Sequence, residues 1–181
     1  AVVSYSGPRN IDLLSQPGGT YSLDINEDAQ VDFVFQSDTT YAQPTSNYSY
    51  FCNFQSATLS PNGSNQVLAD SNGWPAKNLA TGYSVRNSLL PGATWSSTWQ
   101  TLNGTAISCT YLGPGGGLDQ NRNRVRGVRG VKGSSTGYGH FKGSQGYIGV
   151  RFLIGASLHY GWVQYRGELN SPTGTIIDWA Y

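Results

Sequence analysis

The densest group of side chains that could bind a ligand lies in an acidic segment between two alternating stretches. Its oxygen-bearing residues at relative positions 1, 3, 5 and 9 are Asp24, Asn26, Asp28 and Asp32. This is the spacing with which an oxygen-rich loop wraps Ca²⁺. However, Ala29 stands where such a loop prefers glycine, and Phe35 stands where it prefers Glu. A polar turn whose Asp and Asn cap their own backbone fits equally well. We therefore expect no required cofactor, with Ca²⁺ as the one candidate ligand.

Signals for catalysis are sparse. His140 and His159 have neither a Ser or Cys nucleophile motif nor an adjacent carboxylate. Glu168 and Asp178 could approach each other across a terminal hairpin, but a glycosidase needs two acids about 5–10 Å apart in a cleft. The glycine-rich residues 113–117 lack the Lys-Ser/Thr that follows a phosphate-binding loop. We expect a protein that is not an enzyme.

Two kinds of covalent modification are suggested by the sequence. Cys52 and Cys109 form an even pair in a chain of low charge, and a disulfide between them would stabilise the fold by roughly 4 kcal/mol. Two buried free thiols are the alternative. Three Asn-X-Ser/Thr sequons, at Asn47, Asn62 and Asn103, could accept glycans in an exported chain. We expect the loops that carry them to be exposed.

Charge is unevenly distributed although the net charge is only +1. Residues 1–60 hold six acidic residues and one basic residue, whereas residues 61–181 hold four acidic and ten basic residues. Five of the eleven basic residues lie in residues 122–132. Such a run could contact nucleic acid, but the nearly neutral chain favours a solvated or inter-subunit surface, so we expect no nucleic-acid partner. Opposite charges at the two ends would favour head-to-tail contact between copies.

The elements that must position these residues are short strands. Aromatic and β-branched residues alternate with turns rich in Gly, Asn and Ser. The clearest signal is a hairpin of residues 147–154 and 158–165, and a short helical turn is indicated near residues 76–80. The predicted fold is all-β: a two-sheet β-sandwich of jelly-roll type. We assign residues 1–19 to an extended N-terminal strand segment, with extended stretches at residues 1–6 and 11–14, and residues 20–181 to the sandwich.

The composition also favours an exported protein. The sequence contains no Met and begins at Ala1, which we interpret as the end left by signal-peptide removal. No apolar run approaches the roughly 18 residues of a membrane span. We expect an extracellular or cell-surface location.

Several short motifs at both ends give the chain a family resemblance. They include residues 3–7 with Asn10 and Ile11, residues 21–35, residues 146–152, residues 159–162 and residues 177–181. With these motifs the chain resembles an uncharacterised group of secreted bacterial β-sandwich proteins that often carry a PEP-CTERM-type sorting tail. Ala29 departs from the glycine of that pattern, which weakens an inherited metal site. The resemblance implies an exported β-sandwich with no established enzyme activity.

Two functions remain open from the sequence. The first is an extracellular structural subunit that polymerises head to tail into a filament, with its N-terminal strand completing the sheet of a neighbouring copy. The apolar residues that would enter the neighbour are Val2, Val3, Tyr5, Ile11 and Leu13. The alternative is a secreted carbohydrate-binding or adhesive module that stacks glycans on aromatic rings. Its candidates are Trp74, Trp95, Trp99, Trp162 and Trp179, most of which we expect in the core.

Overall fold

Two antiparallel sheets form the molecule. The computed structural model describes residues 3–44, 50–87, 89, 91–112, 128–132 and 137–181. Sheet A contains, in spatial order, β1 (Ile11–Asp12), β12 (Gly174–Ala180), β11 (Ser157–Gly167), β10 (Gln145–Ile154), β5 (Gln66–Asp70) and β6 (Ala93–Ser96). Sheet B contains β2 (Thr20–Leu23), β3 (Phe33–Pro44), β4 (Tyr50–Pro61), β7 (Gln100–Leu112) and β8 (Val128–Lys132), with β9 (Gly137–Tyr138) beside β7. The predicted all-β, two-sheet sandwich is confirmed, whereas its jelly-roll type stays a prediction.

The hairpin of β10 and β11 is the longest regular element of sheet A. Its register runs unbroken from Gln145 opposite Arg166 to Ile154 opposite Ser157. Gly155 adopts φ of 59° in the tight turn, a conformation that glycine supplies without steric penalty. Every second residue of each strand therefore points into the molecule. This hairpin was predicted from the alternation of the sequence and is confirmed.

The core lies between the two sheets and is built from their inward-facing side chains. Its large, fully buried members include Phe33, Phe35, Leu59, Leu102, Phe141, Ile148, Phe152 and Tyr165. The helical turn expected at residues 76–80 is wrong. There, Ala76 and Leu79 instead form isolated bridges with Ala69 on β5 and Tyr147 on β10. The reason is that β5 and β10 pair with each other at only two positions, and beyond them their facing backbone groups are left for this segment. No helix in the described part of the chain is long and apolar enough to cross a membrane.

The N-terminal segment lies along β12. Backbone hydrogen bonds run from the Ser4 amide to the Tyr181 carbonyl (2.8 Å) and from the Ser6 amide to the Trp179 carbonyl (3.0 Å). Ile11 then pairs with Ile176 in β1. That residues 1–19 donate a strand to a neighbouring copy stays a prediction. Donation would require these hydrogen bonds to β12 of the same molecule to be replaced by equivalent ones to β12 of another.

The second extended piece that we expected at residues 11–14 is wrong beyond Asp12. Leu13–Ser15 forms a 3₁₀ turn because the Asp12 carboxylate caps it, accepting from the Leu14 amide at 3.0 Å. The turn places Leu13 fully in the core. Among the other residues expected to enter a neighbour, Val3 is 69% exposed, Ile11 is half-buried, and Val2 lies outside the described residues.

Candidate functional site

The outer face of sheet A is organised in rows across its strands. Since directly opposed residues of neighbouring strands point to the same side, the register defines which side chains meet. One row contains Gly149, Trp162, Ala180 and Tyr5. The next row contains Leu79, Tyr147, Gln164 and Asp178. The two rows place three aromatic rings beside three polar or small side chains.

The three rings form a continuous cluster. Tyr147 packs edge-on against Trp162, with ring centroids 5.1 Å apart and planes at 90°. Tyr5 lies on the other side of Trp162, with centroids 6.3 Å apart. Ala180 stands between Trp162 and Tyr5 in the row and is 2% exposed. Its small side chain lets the two rings approach across the intervening strand.

Residues 78–85 cross this face and form the wall of a groove. One cavity of about 220 Å³ is lined by Leu79, Ala80, Thr81, Gly82, Tyr83, Val85, Tyr147 and Trp162. A second, of about 360 Å³, is lined by Asn78, Leu79, Ala80, Thr81, Gln145, Gly146, Tyr147 and Gln164. We call the two together the aromatic groove. They share four residues and are therefore continuous, and none of their described lining residues carries a charge.

Hydrogen bonds hold the floor and the edge of the groove. The Gln164 Nε2 donates to the Tyr147 hydroxyl at 3.2 Å. The Tyr5 hydroxyl donates to Asp178 Oδ2 at 2.7 Å, and this hydrogen bond is the main cause that raises the pKa of Tyr5. Asp178 is 8% exposed, and its Oδ1 has no hydrogen-bond partner among the described residues. At the end of the second row, one oxygen of the Asp178 carboxylate therefore has a hydrogen-bond partner and the other has none among the described residues.

A second aromatic group continues the same face toward β6. Trp95 and Tyr160 have ring centroids 6.0 Å apart. The Arg151 guanidinium lies over the Trp95 ring, 4.9 Å from its centroid, and also donates to the Gln66 and Asn87 side chains. Such a cation–π contact orients both partners. Half-buried aromatic side chains thus continue along sheet A beyond the groove.

The predicted calcium ligands lie together, and their oxygens hold the local backbone. Asp24 accepts from the amides of Asp28 (3.1 Å) and Ala29 (2.7 Å). The Asn26 side chain donates to Asp28 at 3.0 Å. Ala29 adopts φ of 68°, the conformation that explains why glycine is usual there. These contacts are those of a polar turn that caps itself.

Asp32 is bound separately from the other three. Its Oδ2 accepts from the Ile25 amide at 3.0 Å and its Oδ1 from the Asn65 side chain at 2.9 Å. Burial raises the pKa of Asp32 despite these two hydrogen bonds. Within the described residues, no group of three His, Cys, Asp or Glu side chains is placed to hold a metal. The calcium site stays a prediction, and a melting temperature that rises with added Ca²⁺ and falls with chelator is the result it requires.

The two cysteines are opposed in the register of sheet B. Cys52 on β4 pairs directly with Cys109 on β7, which is the arrangement that a cross-strand disulfide requires of its backbone. Their side chains lie outside the described residues, so the disulfide stays a prediction. Residues 113–127 and the basic residues among them also lie outside.

The three sequons have different environments. Asn47 lies outside the described residues, and Asn62 is exposed in a turn. Asn103 is 0% exposed, and its amide nitrogen donates to backbone carbonyls of the β11–β12 loop. The expectation of an exposed loop is therefore wrong for Asn103. Its side-chain amide, on a strand, is buried because it donates hydrogen bonds to the carbonyl groups of a loop packed against that strand.

The histidines and the acid pair considered for catalysis are dispersed. His140 Nε2 lies 2.7 Å from Asp70 Oδ2, beside Lys77, and the His159 ring packs near Phe152. The Glu168 amide donates to the Thr173 carbonyl at 3.0 Å. Thr173 precedes Asp178 by five residues, which corresponds to roughly 16 Å along an extended strand. This pair does not form the two-carboxylate cleft that glycoside hydrolysis uses.

No family model, curated protein or solved structure matches the chain. Trp162 was among the tryptophans considered from the sequence, whereas Tyr83, Tyr147 and Gln164 were missed. The last two carry a signal that could have found them, since they alternate with core residues on the predicted hairpin. Tyr83 carries none, because residues 78–85 have no strand periodicity.

Proposed function

We propose that the protein is an extracellular binding module that holds a neutral polysaccharide in the aromatic groove. The observation that carries this proposal is the uncharged groove lined by Tyr83, Tyr147 and Trp162, with side-chain amides at its edge. The three rings are half-buried, and the surface that they leave open is apolar and suited to packing against a ligand.

The chemistry of the lining matches that of a sugar chain. The faces of a pyranose carry C–H groups, which pack on the negative face of an aromatic ring. Its hydroxyls need donors and acceptors, and the side-chain amides of Gln145 and Gln164 supply both. Asn78 supplies only its oxygen, since its Nδ2 donates to the His140 carbonyl and to Ser144 Oγ. A carboxylated or sulfated glycan would need a cation to replace its lost hydration. Since no described lining residue is charged, we expect neutral glycans to be preferred.

The shape of the groove favours a chain over a free monosaccharide. The cavity at Trp162 holds about 220 Å³, which is below the roughly 300–1,000 Å³ of pockets that enclose small molecules. It opens directly into the second cavity beside Gln145. A ligand of two or more linked sugar units can occupy both cavities, and the affinity should rise with the length of the oligosaccharide.

The test compares neutral and anionic polysaccharides for binding to the full chain, by array and then by titration calorimetry. Trp162→Ala should weaken binding at least thirtyfold, since a central aromatic anchor contributes about 2 kcal/mol or more. Trp99→Ala is the matched control, because Trp99 is 44% exposed and packs with Trp74 away from the groove. Full binding by Trp162→Ala, or no binding of any neutral glycan, would contradict the proposal.

A head-to-tail filament is the second candidate function. It is favoured by residues 4–12, which lie outermost on sheet A along β12 and are held to it mainly through backbone hydrogen bonds. A copy of the same segment from another molecule could make the same bonds. A variant without residues 1–10 retains Leu13 in the core. If the full chain forms fibres by negative-stain imaging, this variant should remain monomeric, and a full chain that stays monomeric at high concentration refutes the filament.

A further inference from the structure

We propose that the docking of the N-terminal segment, residues 3–10, on β12 is thermodynamically coupled to polysaccharide binding in the aromatic groove beside it. This inference rests on the proposed function and adds a regulation to it. Tyr5 is the residue that couples the two, because it belongs to the segment and packs against Trp162, which lines the first cavity of the groove.

Trp162 is held between two tyrosines. Tyr147 packs against it from the same hairpin, at 5.1 Å. Tyr5 packs against it from the N-terminal segment, at 6.3 Å. Removing the segment would uncover one side of the Trp162 ring together with Ala180, which is now 2% exposed. The ring on which a sugar would stack is therefore oriented in part by the segment.

A polar connection runs parallel to the aromatic one. Tyr5 donates to Asp178, which is opposite Gln164 in the register, and Gln164 donates to Tyr147. The Asp178 carboxylate is 8% exposed and already has one unpartnered oxygen. In the docked state the Tyr5 hydroxyl is the donor at Oδ2. This hydrogen bond offsets part of the cost of burying the carboxylate, and it links the docked segment to the row that contains Gln164 and Tyr147.

The segment is anchored mainly by backbone hydrogen bonds and by few buried side chains. Between Val3 and Asn10, the Tyr5 ring packs on Trp162 but is 54% exposed, and the Arg9 guanidinium lies over Trp179, 5.5 Å from the ring centroid. Gly7 at φ of 70° and Pro8 interrupt the pairing with β12. Segments with few buried contacts open at low free energy. A ligand that binds the docked form better must increase the fraction of molecules in which the segment is docked. By linkage, docking of the segment must raise the affinity for that ligand by the same factor.

The coupling is tested on the full chain with hexasaccharides of glucose (β-1,4 and β-1,3), xylose and mannose as probes. Tyr5→Ala should weaken the affinity of the best-bound probe roughly two- to tenfold, and Tyr5→Phe, which keeps the ring, by less. Val3→Ala is the matched control in the same segment, since Val3 is 69% exposed, and it should bind as the wild type does.

Hydrogen exchange gives an independent measure that does not need a variant. The amides of Ser4 and Ser6, bonded to Tyr181 and Trp179, should exchange more slowly when the probe saturates the wild type. If Trp162→Ala abolishes binding but Tyr5→Ala binds normally and the Ser4 and Ser6 exchange rates do not change, the coupling is wrong and the proposed function stands. Failure of the wild type to bind any probe overturns both. A Tyr5→Ala variant that does not fold leaves the decision to Tyr5→Phe and to the exchange rates.

Discussion

Replacing Asn103 with alanine should destabilise the sandwich strongly, because this one side chain fastens a loop of sheet A to a strand of sheet B. Asn103 lies on β7 and is fully buried. Its Nδ2 faces the carbonyl oxygens of Ser171 (2.8 Å), Thr173 (2.8 Å) and Glu168 (3.3 Å). Its Oδ1 accepts from the Tyr165 hydroxyl at 2.9 Å. The amide thus uses both its donors and its acceptor on the β11–β12 hairpin.

The size of the effect follows from the groups left without partners. An amide nitrogen has two hydrogens, and the Thr173 carbonyl also accepts from the Glu168 amide at 3.0 Å. Alanine therefore leaves the Ser171 carbonyl and the Tyr165 hydroxyl as the two groups that lose their hydrogen-bond partner. A buried polar group without a partner costs about 1–3 kcal/mol, which gives a total loss of about 2 kcal/mol at the lower end. For a domain of this size, 1 kcal/mol shifts the melting temperature by about 2–4 °C. We expect Asn103→Ala to melt about 4–8 °C below the wild type.

Thermal and urea unfolding of Asn103→Ala, Tyr165→Phe and the double variant measure this directly. Tyr165→Phe removes one hydrogen bond and should be milder than Asn103→Ala. The two losses should not add, because the variants share a contact, and a coupling of about 0.5–3 kcal/mol is expected for such neighbours. The exposed Ser97→Ala is the control and should stay within about 0.5 kcal/mol. An Asn103→Ala variant as stable as Ser97→Ala, or strict additivity with Tyr165→Phe, would refute the reasoning.

Two further predictions concern glycosylation and pH. Expressed in a host that glycosylates exported proteins, the chain should carry a glycan at Asn62 and none at Asn103 once folded, as peptide mass spectrometry would show; a glycan at Asn103 in the folded protein would contradict its burial. For Asp70, burial opposes ionisation, but hydrogen bonds from its histidine and lysine partners outweigh it and lower the pKa below 3.8. Its contribution to stability is therefore present at neutral pH and is lost as the pH falls below that value. In urea unfolding between about pH 2 and 5, the free energy of unfolding of Asp70→Asn should fall less with decreasing pH than that of the wild type. An equal fall in both proteins would count against the ion pair.

The parts of the fold that could be predicted are those encoded by neighbouring residues. The β10–β11 hairpin follows from alternating side chains and one glycine turn, and its outward row follows from the same alternation. The acidic turn was located from its residues, but its spacing alone does not show which backbone amides the Asp24 oxygens reach. The folded geometry shows that these are the amides of Asp28 and Ala29, and the calcium site stays a prediction.

The groove itself could not be predicted, because its parts come from distant stretches of the chain. Tyr5 reaches Trp162 only because the N-terminal segment lies beside β12, and nothing in either local sequence indicates that order. Asn103 illustrates the same limit in a polar residue. Its sequon suggests an exposed loop, but its burial depends on carbonyl groups from residues 168–173 that approach it from the other sheet.

The two functions considered for the N-terminal segment constrain each other through the register of one strand. In the structure, Tyr5 is opposite Ala180 and therefore lies on the groove side of sheet A. A strand donated by another copy would restore the groove only in that register, because a slip of one residue turns alternate side chains to the opposite face. A slipped strand would direct Ser4 or Ser6 toward Trp162 and turn Tyr5 inward. Glycan affinity in any filament would therefore report the register of the donated strand, and a filament that binds as tightly as the monomer must place each incoming Tyr5 opposite Ala180 of its neighbour.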